Sequence, residues 1–198
     1  MITAIILAAG RSTRMGTPKM LLRWKKTTVI EHIISVFDDA GIDDILVVTG
    51  GAHEQMEEVL RQCKKRHPVR SIYNEEYQTG EMLSSIQCGL KNMNDTVEAA
   101  LIGLGDQPQV LESTVQLLKE SFLHSKSLLI VPSYLMRRGH PWLVARPLWM
   151  ELSLMDHTQT PRDFLNAHPG EVLYLNLETP SILADLDTLE DYRSARPE

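Results

Sequence analysis

Cysteine is nearly absent from this chain of 198 residues: Cys63 and Cys88 are the only two, with no C-x-x-C spacing and no histidine pattern beside them. That excludes a disulfide framework and a thiolate zinc site. Positive charge is also in deficit, with 20 Lys and Arg against 26 Asp and Glu, a net charge of -6. An extended surface for nucleic acid or anionic membrane is thereby excluded, because phosphate-backbone binding needs clustered cations. No apolar run is long enough to cross a bilayer, and residues 1–10 lack the basic segment that opens a secretory signal, so the chain is expected in the cytoplasm. Neither G-x-x-x-x-G-K-[ST] nor G-x-G-x-x-G occurs, which removes the usual signatures of a P-loop NTPase and of a dinucleotide oxidoreductase. Internal repeats, low-complexity stretches and long linkers are missing too.

What is present is apolar residues at 43%, enough at this length to bury one substantial core, so a single domain over residues 1–198 is expected. Short apolar, β-branched runs at 2–7, 45–49, 69–73, 99–103 and 128–131 read as buried strands. Between them, helical spacing predicts helices from Val29 to Phe37, over 54–63, over 84–93 and over 112–122, with Val115, Leu118 and Phe122 inward. Thr28 and Glu31 form a capping box for the first of these, and Gly41 offers its stop. The alternation implies an α/β fold, a three-layer α/β/α sandwich on a mostly parallel sheet. Beyond Pro132 the rhythm weakens into strands near 141–146 and 172–177 and helical pieces near 147–154 and 162–167. These are expected to extend the same sheet, one strand of it antiparallel.

The first loop carries the most chemistry. Leu7-Ala8-Ala9-Gly10-Arg11-Ser12-Thr13-Arg14-Met15-Gly16-Thr17-Pro18-Lys19 follows the first strand directly, and Arg11, Arg14, Lys19, Arg23, Lys25 and Lys26 all precede the first acidic residue, Glu31. Small residues let backbone N–H groups approach a phosphate, Gly10 and Gly16 allow tight turns, and Arg14 and Lys19 can neutralise its oxygens. Gly105-Asp106-Gln107-Pro108 follows the strand at 99–103, where a carboxylate at a strand's carboxyl end can hold Mg²⁺ against phosphates.

The first loop resembles the L-A-A-G-x-S-x-R-M-G-x-P-K signature of the MobA-like nucleotidyltransferases, and within them the molybdenum cofactor cytidylyltransferase branch. The resemblance continues in Asn74 to Ser85 (N-x-x-[YW]-x-x-G-[ML]-x-x-S), in Arg138-Gly139-His140-Pro141 and in Asp185-Leu186-Asp187-Thr188-Leu189-Glu190-Asp191-Tyr192. It implies a Rossmann-like, nucleotide-diphospho-sugar transferase-like fold, and an NTP, CTP in the first place, held by Leu7, Ala8, Ala9, Gly10, Arg11, Ser12, Arg14, Lys19, Gly80, Ser84 and Asp106. It further implies Mg²⁺ on Asp106 and Asp187, with Asp185 as the second candidate, and His140 on the acceptor side. Lys19, Arg14 and Asp106 would be the catalytic set. Other readings stand beside these: Gly80 to Ser85 also fits a turn leading into a helix capped by Ser84 or Ser85, His140 fits a turn residue, and Thr188 fits a helix cap after Asp187.

The implied reaction is in-line attack of an acceptor phosphate, molybdopterin in the first place, on the NTP α-phosphorus with release of pyrophosphate. A molybdoenzyme or its chaperone would receive the product. One departure bears on the acceptor: where the branch carries G-D-x-G-A-R, this chain has Met155-Asp156-His157-Thr158-Gln159-Thr160-Pro161-Arg162-Asp163. A sugar- or alcohol-phosphate nucleotidyltransferase and a non-catalytic nucleotide- or cofactor-binding accessory protein are the competing readings.

Overall fold

The computed structural model describes residues 1–12 and 15–197. Its main sheet is built from β1 (Ile2–Ala8), β4 (Asp44–Thr49), β5 (Val69–Tyr73), β6 (Ala99–Leu104), β7 (Leu129–Tyr134), β9 (Trp142–Ala145) and β10 (Val172–Asn176), in the order β10-β7-β9-β6-β1-β4-β5. The two-residue strand β8 (Arg137–Arg138) pairs with β7, and β2 (Arg23–Trp24) and β3 (Thr27–Thr28) form a separate small hairpin. Pairing is parallel through β6, β1, β4 and β5 and again between β10 and β7; β9 runs antiparallel to both its neighbours, β6 and β7.

The period of two along β1 sorts its side chains onto two cores. Ile2, Ala4, Ile6 and Ala8 point to one face, and Ile5 and Leu7 to the other. The first face is covered by α1 (Val29–Asp39), α2 (His53–Cys63), α4 (Glu112–Ser125) and α7 (Leu189–Ala195), through residues such as Phe37, Leu60, Leu118 and Tyr192. The second is covered by α3 (Glu81–Lys91), α5 (Trp149–Leu154) and α6 (Pro161–Ala167), through Ile86, Leu152 and Phe164. Each fully buried aliphatic or aromatic side chain contributes roughly 1.5–3 kcal/mol. These layers are what hold the loops at the carboxyl edge in register.

The capping box predicted for α1 is present: Glu31 N donates to Thr28 Oγ1 (3.3 Å) and Thr28 N donates to Glu31 Oε2 (2.9 Å). Gly41, at φ +75, ends that helix as expected. Several boundaries differ from the sequence reading by a few residues, and two of them have a visible cause. α3 begins at Glu81, earlier than the predicted start at residue 84, so Ser84 and Ser85 are interior to the helix and do not cap it. Their hydroxyls accept from Asn74 Nδ2 at 2.9 and 3.1 Å instead. β7 runs on through Pro132 to Tyr134, because the Pro132 carbonyl still accepts from Gly139 N (2.9 Å) and β10 pairs along its other side.

Candidate active site

The carboxyl ends of β1, β4 and β6 meet at one edge, and the sequence there is arranged for close backbone approach. Gly51 N donates to Ala9 O (3.2 Å), and a Cβ on Gly50 would lie 2.5 Å from Ala9 O and 2.8 Å from Tyr77 Cβ, so only glycine lets the turn after β4 press against the end of β1. Gly105 N donates to Leu7 O (2.9 Å), which carries Asp106 alongside the first loop. That loop folds back on itself. Ser12 adopts φ +49, its Oγ accepts from Lys19 N (3.1 Å), and Met15 and Met20 are buried beneath it.

The loop thereby returns Lys19 to the edge, where Nζ donates to Asp106 Oδ2 and lies 3.6 Å from Asp187 Oδ1. Lys19 and Asp106 are largely shielded, with side chains 12% and 18% exposed, whereas Asp187 is 54% exposed. Asp187 is held from its far side: Thr188, the next residue, caps α7 in a capping box with Asp191 (Thr188 N to Asp191 Oδ2, 2.7 Å). Beside them, burial pushes the Asp185 carboxyl above its ordinary range, and the neighbouring charges of Asp106 and Asp187 add to that rise against the Gln107 hydrogen bond.

A cavity of about 270 Å³ opens over Lys19 and Asp106, lined also by Leu7, Ala9, Gly10 and Ser85 among others. Glu81 and Met82 form a wall shared with a second cavity of about 340 Å³, whose lining includes Arg138, His140, Trp142, Gln159 and Arg162. Leu7, Gly10, Lys19 and Asp106 are thus brought together with Asp187, while His140 stands on the neighbouring cavity. Ala8 is buried in the core and does not line the cavity, and Arg11 is exposed beside Gly51. Ser84 is buried behind the wall, and Ser85 takes the lining position. Gly80 packs so closely on Ser84 that a Cβ there would lie 2.3 Å from Ser84 Cβ. Arg14 lies outside the described residues.

His140 is kept neutral, since burial lowers its imidazole to about 4. Arg138 is fixed by Asn166 Oδ1 (2.7 Å) and the Tyr174 hydroxyl (2.9 Å). The segment that departs from the family pattern is ordered by its own polar contacts: Asp156 N donates to Gln159 Oε1, Thr158 N to Asp156 Oδ1, and Thr160 caps α6 with Asp163. It lays Gln159, Thr160, Pro161 and Arg162 on the second cavity. Sequence reasoning gave no role to Tyr77, Glu81 and Met82, which line the first cavity: Tyr77 stood inside the quoted Asn74 to Ser85 pattern, and Glu81 and Met82 reach the cavity from the first turn of α3.

Among the described residues, no group of three or more His, Cys, Asp or Glu side chains is arranged to hold a metal ion. The donor set is instead two carboxylates, Asp106 and Asp187, facing the same ammonium. That fits Mg²⁺ or Mn²⁺ bound together with a polyphosphate, because magnesium takes one or two carboxylates and fills its remaining positions with phosphate oxygens and water.

Comparison with known proteins places this geometry. The model of the MobA-like NTP transferase domain matches residues 4–172. The molybdenum cofactor cytidylyltransferase of Escherichia coli K12 is 26% identical over 195 residues, spanning 98% of this chain and 95% of its own. A choline-phosphate cytidylyltransferase of Haemophilus influenzae is 33% identical over 147 residues, spanning 72% of this chain but 57% of its own. The crystal structure of Rv0371c from Mycobacterium tuberculosis H37Rv superposes with a TM-score of 0.82 at 27% identity, over 98% of this chain and 95% of that one. The same mycobacterial protein has been solved in complex with manganese (TM-score 0.74, 26% identity, 98% and 96% covered). With an α/β nucleotidyltransferase fold and a family match over most of its length, this chain belongs to the MobA-like NTP transferase family.

Proposed function

We propose that this protein, acting as one domain in the cytoplasm, transfers CMP from CTP to the phosphate of a molybdopterin-type acceptor and releases pyrophosphate. The observation that carries this reading is a cavity lined by Lys19 and Asp106, with Asp187 beside the same ammonium, that shares a wall with a second, larger one. A donor and an acceptor need two adjoining sites, and the catalytic charges belong on the donor's side.

The acceptor's phosphate oxygen attacks the α-phosphorus, and the bond to the β-phosphate oxygen breaks as pyrophosphate leaves. An acceptor phosphate is ionised at neutral pH, so no general base is required and the protein's contribution is alignment and charge neutralisation. Lys19 stabilises the charge that builds on the leaving pyrophosphate, and Arg14 is proposed for the same task. Backbone N–H groups at Ala9 to Ser12 orient the phosphates, with Arg11 at the mouth. Mg²⁺ held by Asp106 and Asp187 would neutralise the phosphate oxygens when bound. Leu7-Ala8-Ala9-Gly10, with its likeness to the pyrimidine-using branch, supports CTP as the donor.

The second cavity favours an anionic, ring-bearing acceptor over choline phosphate. Its walls combine Met82, Leu83, Trp142, Pro161 and Leu165 with the guanidiniums of Arg138 and Arg162. A trimethylammonium group prefers a cage of aromatic rings, and here it would meet two guanidiniums and a single tryptophan, with only the Glu81 carboxylate to attract it. The complete Lys19, Asp106 and Asp187 set argues against a carrier that binds without turnover. The test is transfer of label from α-phosphate-labelled CTP with Mg²⁺ to molybdopterin, choline phosphate or sugar phosphates. Label in the molybdopterin conjugate alone supports the reading. Transfer to choline phosphate in its place, or CTP binding with transfer to no acceptor, overturns it.

A further inference from the structure

Gln107 follows Asp106 in the loop at the carboxyl edge, yet it is 3% exposed, and its side chain reaches across to a remote part of the chain. Its Nε2 donates to Asp185 Oδ1 (2.6 Å) and to Ile182 O (3.3 Å), while its Oε1 is buried without a partner among the described residues. A buried, unpaired acceptor costs about 1–3 kcal/mol. The opposite amide orientation would set that oxygen against two acceptors, so the orientation present is dictated by the two donated bonds.

The segment it grips is held from both sides. Leu186 N donates to Asp106 O (2.9 Å), which ties the two acidic loops together at the backbone. Ile182 O also accepts from His140 N (3.2 Å), and a Cβ on Gly139 would lie 2.5 Å from that same oxygen. Residues 182–187 therefore run between the loop that carries Asp106 and the loop that carries His140. Asp187 stands at the end of this run, half exposed, with the Lys19 ammonium 3.6 Å away. Its ion pair with Lys19 adds little to that placement, because an exposed ion pair contributes only about 0–1 kcal/mol.

We infer that Gln107 is the positioning residue of the second metal carboxylate: its side-chain amide holds residues 182–187 against the Asp106 loop so that Asp187 faces Lys19 and Asp106. The inference rests on the metal reading given above. It assigns to Gln107 an effect on the metal that passes through Asp187, with no contact to nucleotide or acceptor.

The test is Mn²⁺ binding to the full-length protein in the presence of a non-hydrolysable CTP analogue, with wild type compared to Gln107→Met, which keeps the side chain's volume and removes both donated bonds. Removing a group that orients a metal ligand typically weakens affinity about 10- to 100-fold, and that is the expected loss. Affinity for the CTP analogue without metal is expected to stay within about twofold, the scatter of a site whose nucleotide contacts are untouched. In an Asp187→Asn background, Gln107→Met should change Mn²⁺ affinity by less than about twofold, because residues that act through one another are not additive. Wild-type Mn²⁺ affinity in Gln107→Met, or the same loss with and without the Asp187 carboxylate, overturns the inference. If Gln107→Met does not fold, Gln107→Asn, one methylene too short to reach both acceptors, carries the same expectations. Failure of the wild-type protein itself to bind Mn²⁺ with the CTP analogue is a separate result, and it overturns the metal reading on which this inference stands.

Discussion

Replacing Lys19 by methionine keeps an unbranched stem of similar reach and removes its ammonium, and it has two effects of opposite sign. In the structure that ammonium pairs with Asp106 inside the cavity and lies 3.6 Å from Asp187. It is the positive charge that makes two facing carboxylates tolerable when no nucleotide is bound. In the proposed reaction it is the group aimed at the phosphates, and a charge-assisted hydrogen bond contributes about 1.5–3 kcal/mol. At about 1.4 kcal/mol per decade, its removal should lower kcat/KM with CTP roughly 10- to 100-fold. The metal responds in the other direction. With the lysine gone, Asp106 and Asp187 face each other unneutralised, and a divalent cation no longer competes with a resident charge. Mn²⁺ affinity without nucleotide should rise about tenfold, equivalent to about 1.4 kcal/mol. The Asp106 arm dominates that figure, because Asp187 is more than half exposed and its pairing with the lysine is screened. Mn²⁺ titration of both proteins, without nucleotide and then with CTP, gives both quantities. The reasoning is refuted if Lys19→Met binds Mn²⁺ no better than wild type in the absence of nucleotide, or if it turns CTP over at the wild-type rate.

Four further outcomes follow from the same geometry. Asp106→Ala should bring CTP turnover to background, a loss of at least about 10²-fold, as for removal of other groups that stabilise transition-state charge, measured as pyrophosphate release with saturating Mg²⁺. Arg162→Ala should raise the acceptor KM about tenfold, the effect of about 1.4 kcal/mol of lost charge pairing, and leave the CTP KM unchanged, because the side chain lines only the second cavity. Gly80→Ala should lower stability by about 1–3 kcal/mol in chemical denaturation and weaken CTP binding, since its Cβ would fall 2.3 Å from Ser84 Cβ and displace the start of α3. His140 is held neutral in the fold down to about 4, whereas the unfolded chain takes up its proton near 6.5. The unfolded state therefore binds more protons between those values, and the stability that is complete above pH 6.5 is lost as pH falls from about 6.5 to about 4, on the order of 3 kcal/mol. His140→Leu should flatten that part of the profile of Tm against pH, and an unchanged profile would show that the imidazole is not the group responsible.

That Lys19 and Asp106 share one edge of the sheet was legible because the signal is local. A loop of small and basic residues after a strand, and an acidic turn after another strand, can be placed by the rule that ligands meet a parallel sheet at its carboxyl edge. Asp187 was legible only through resemblance; its distance along the chain from Lys19 hides the contact, and the match to the family model ends before it. Gln107 could not be read at all, since a glutamine in a turn is ordinary until the segment it grips folds over it. The start of α3 was misplaced for a related reason. Ser84 and Ser85 have the chemistry of helix caps, but Asn74 takes their hydroxyls, a partner that only the tertiary structure brings near. The departure at residues 155–163 was visible as a difference in pattern, and the fold shows its consequence by lining the second cavity with it.

The most direct test of the account is pyrophosphate release by the purified protein with Mg²⁺ and each of CTP, GTP, ATP and UTP, with and without molybdopterin. Release with CTP alone, and only when molybdopterin is added, is the predicted result. Release that ignores molybdopterin, or that another nucleotide supports better than CTP, would contradict the assignment.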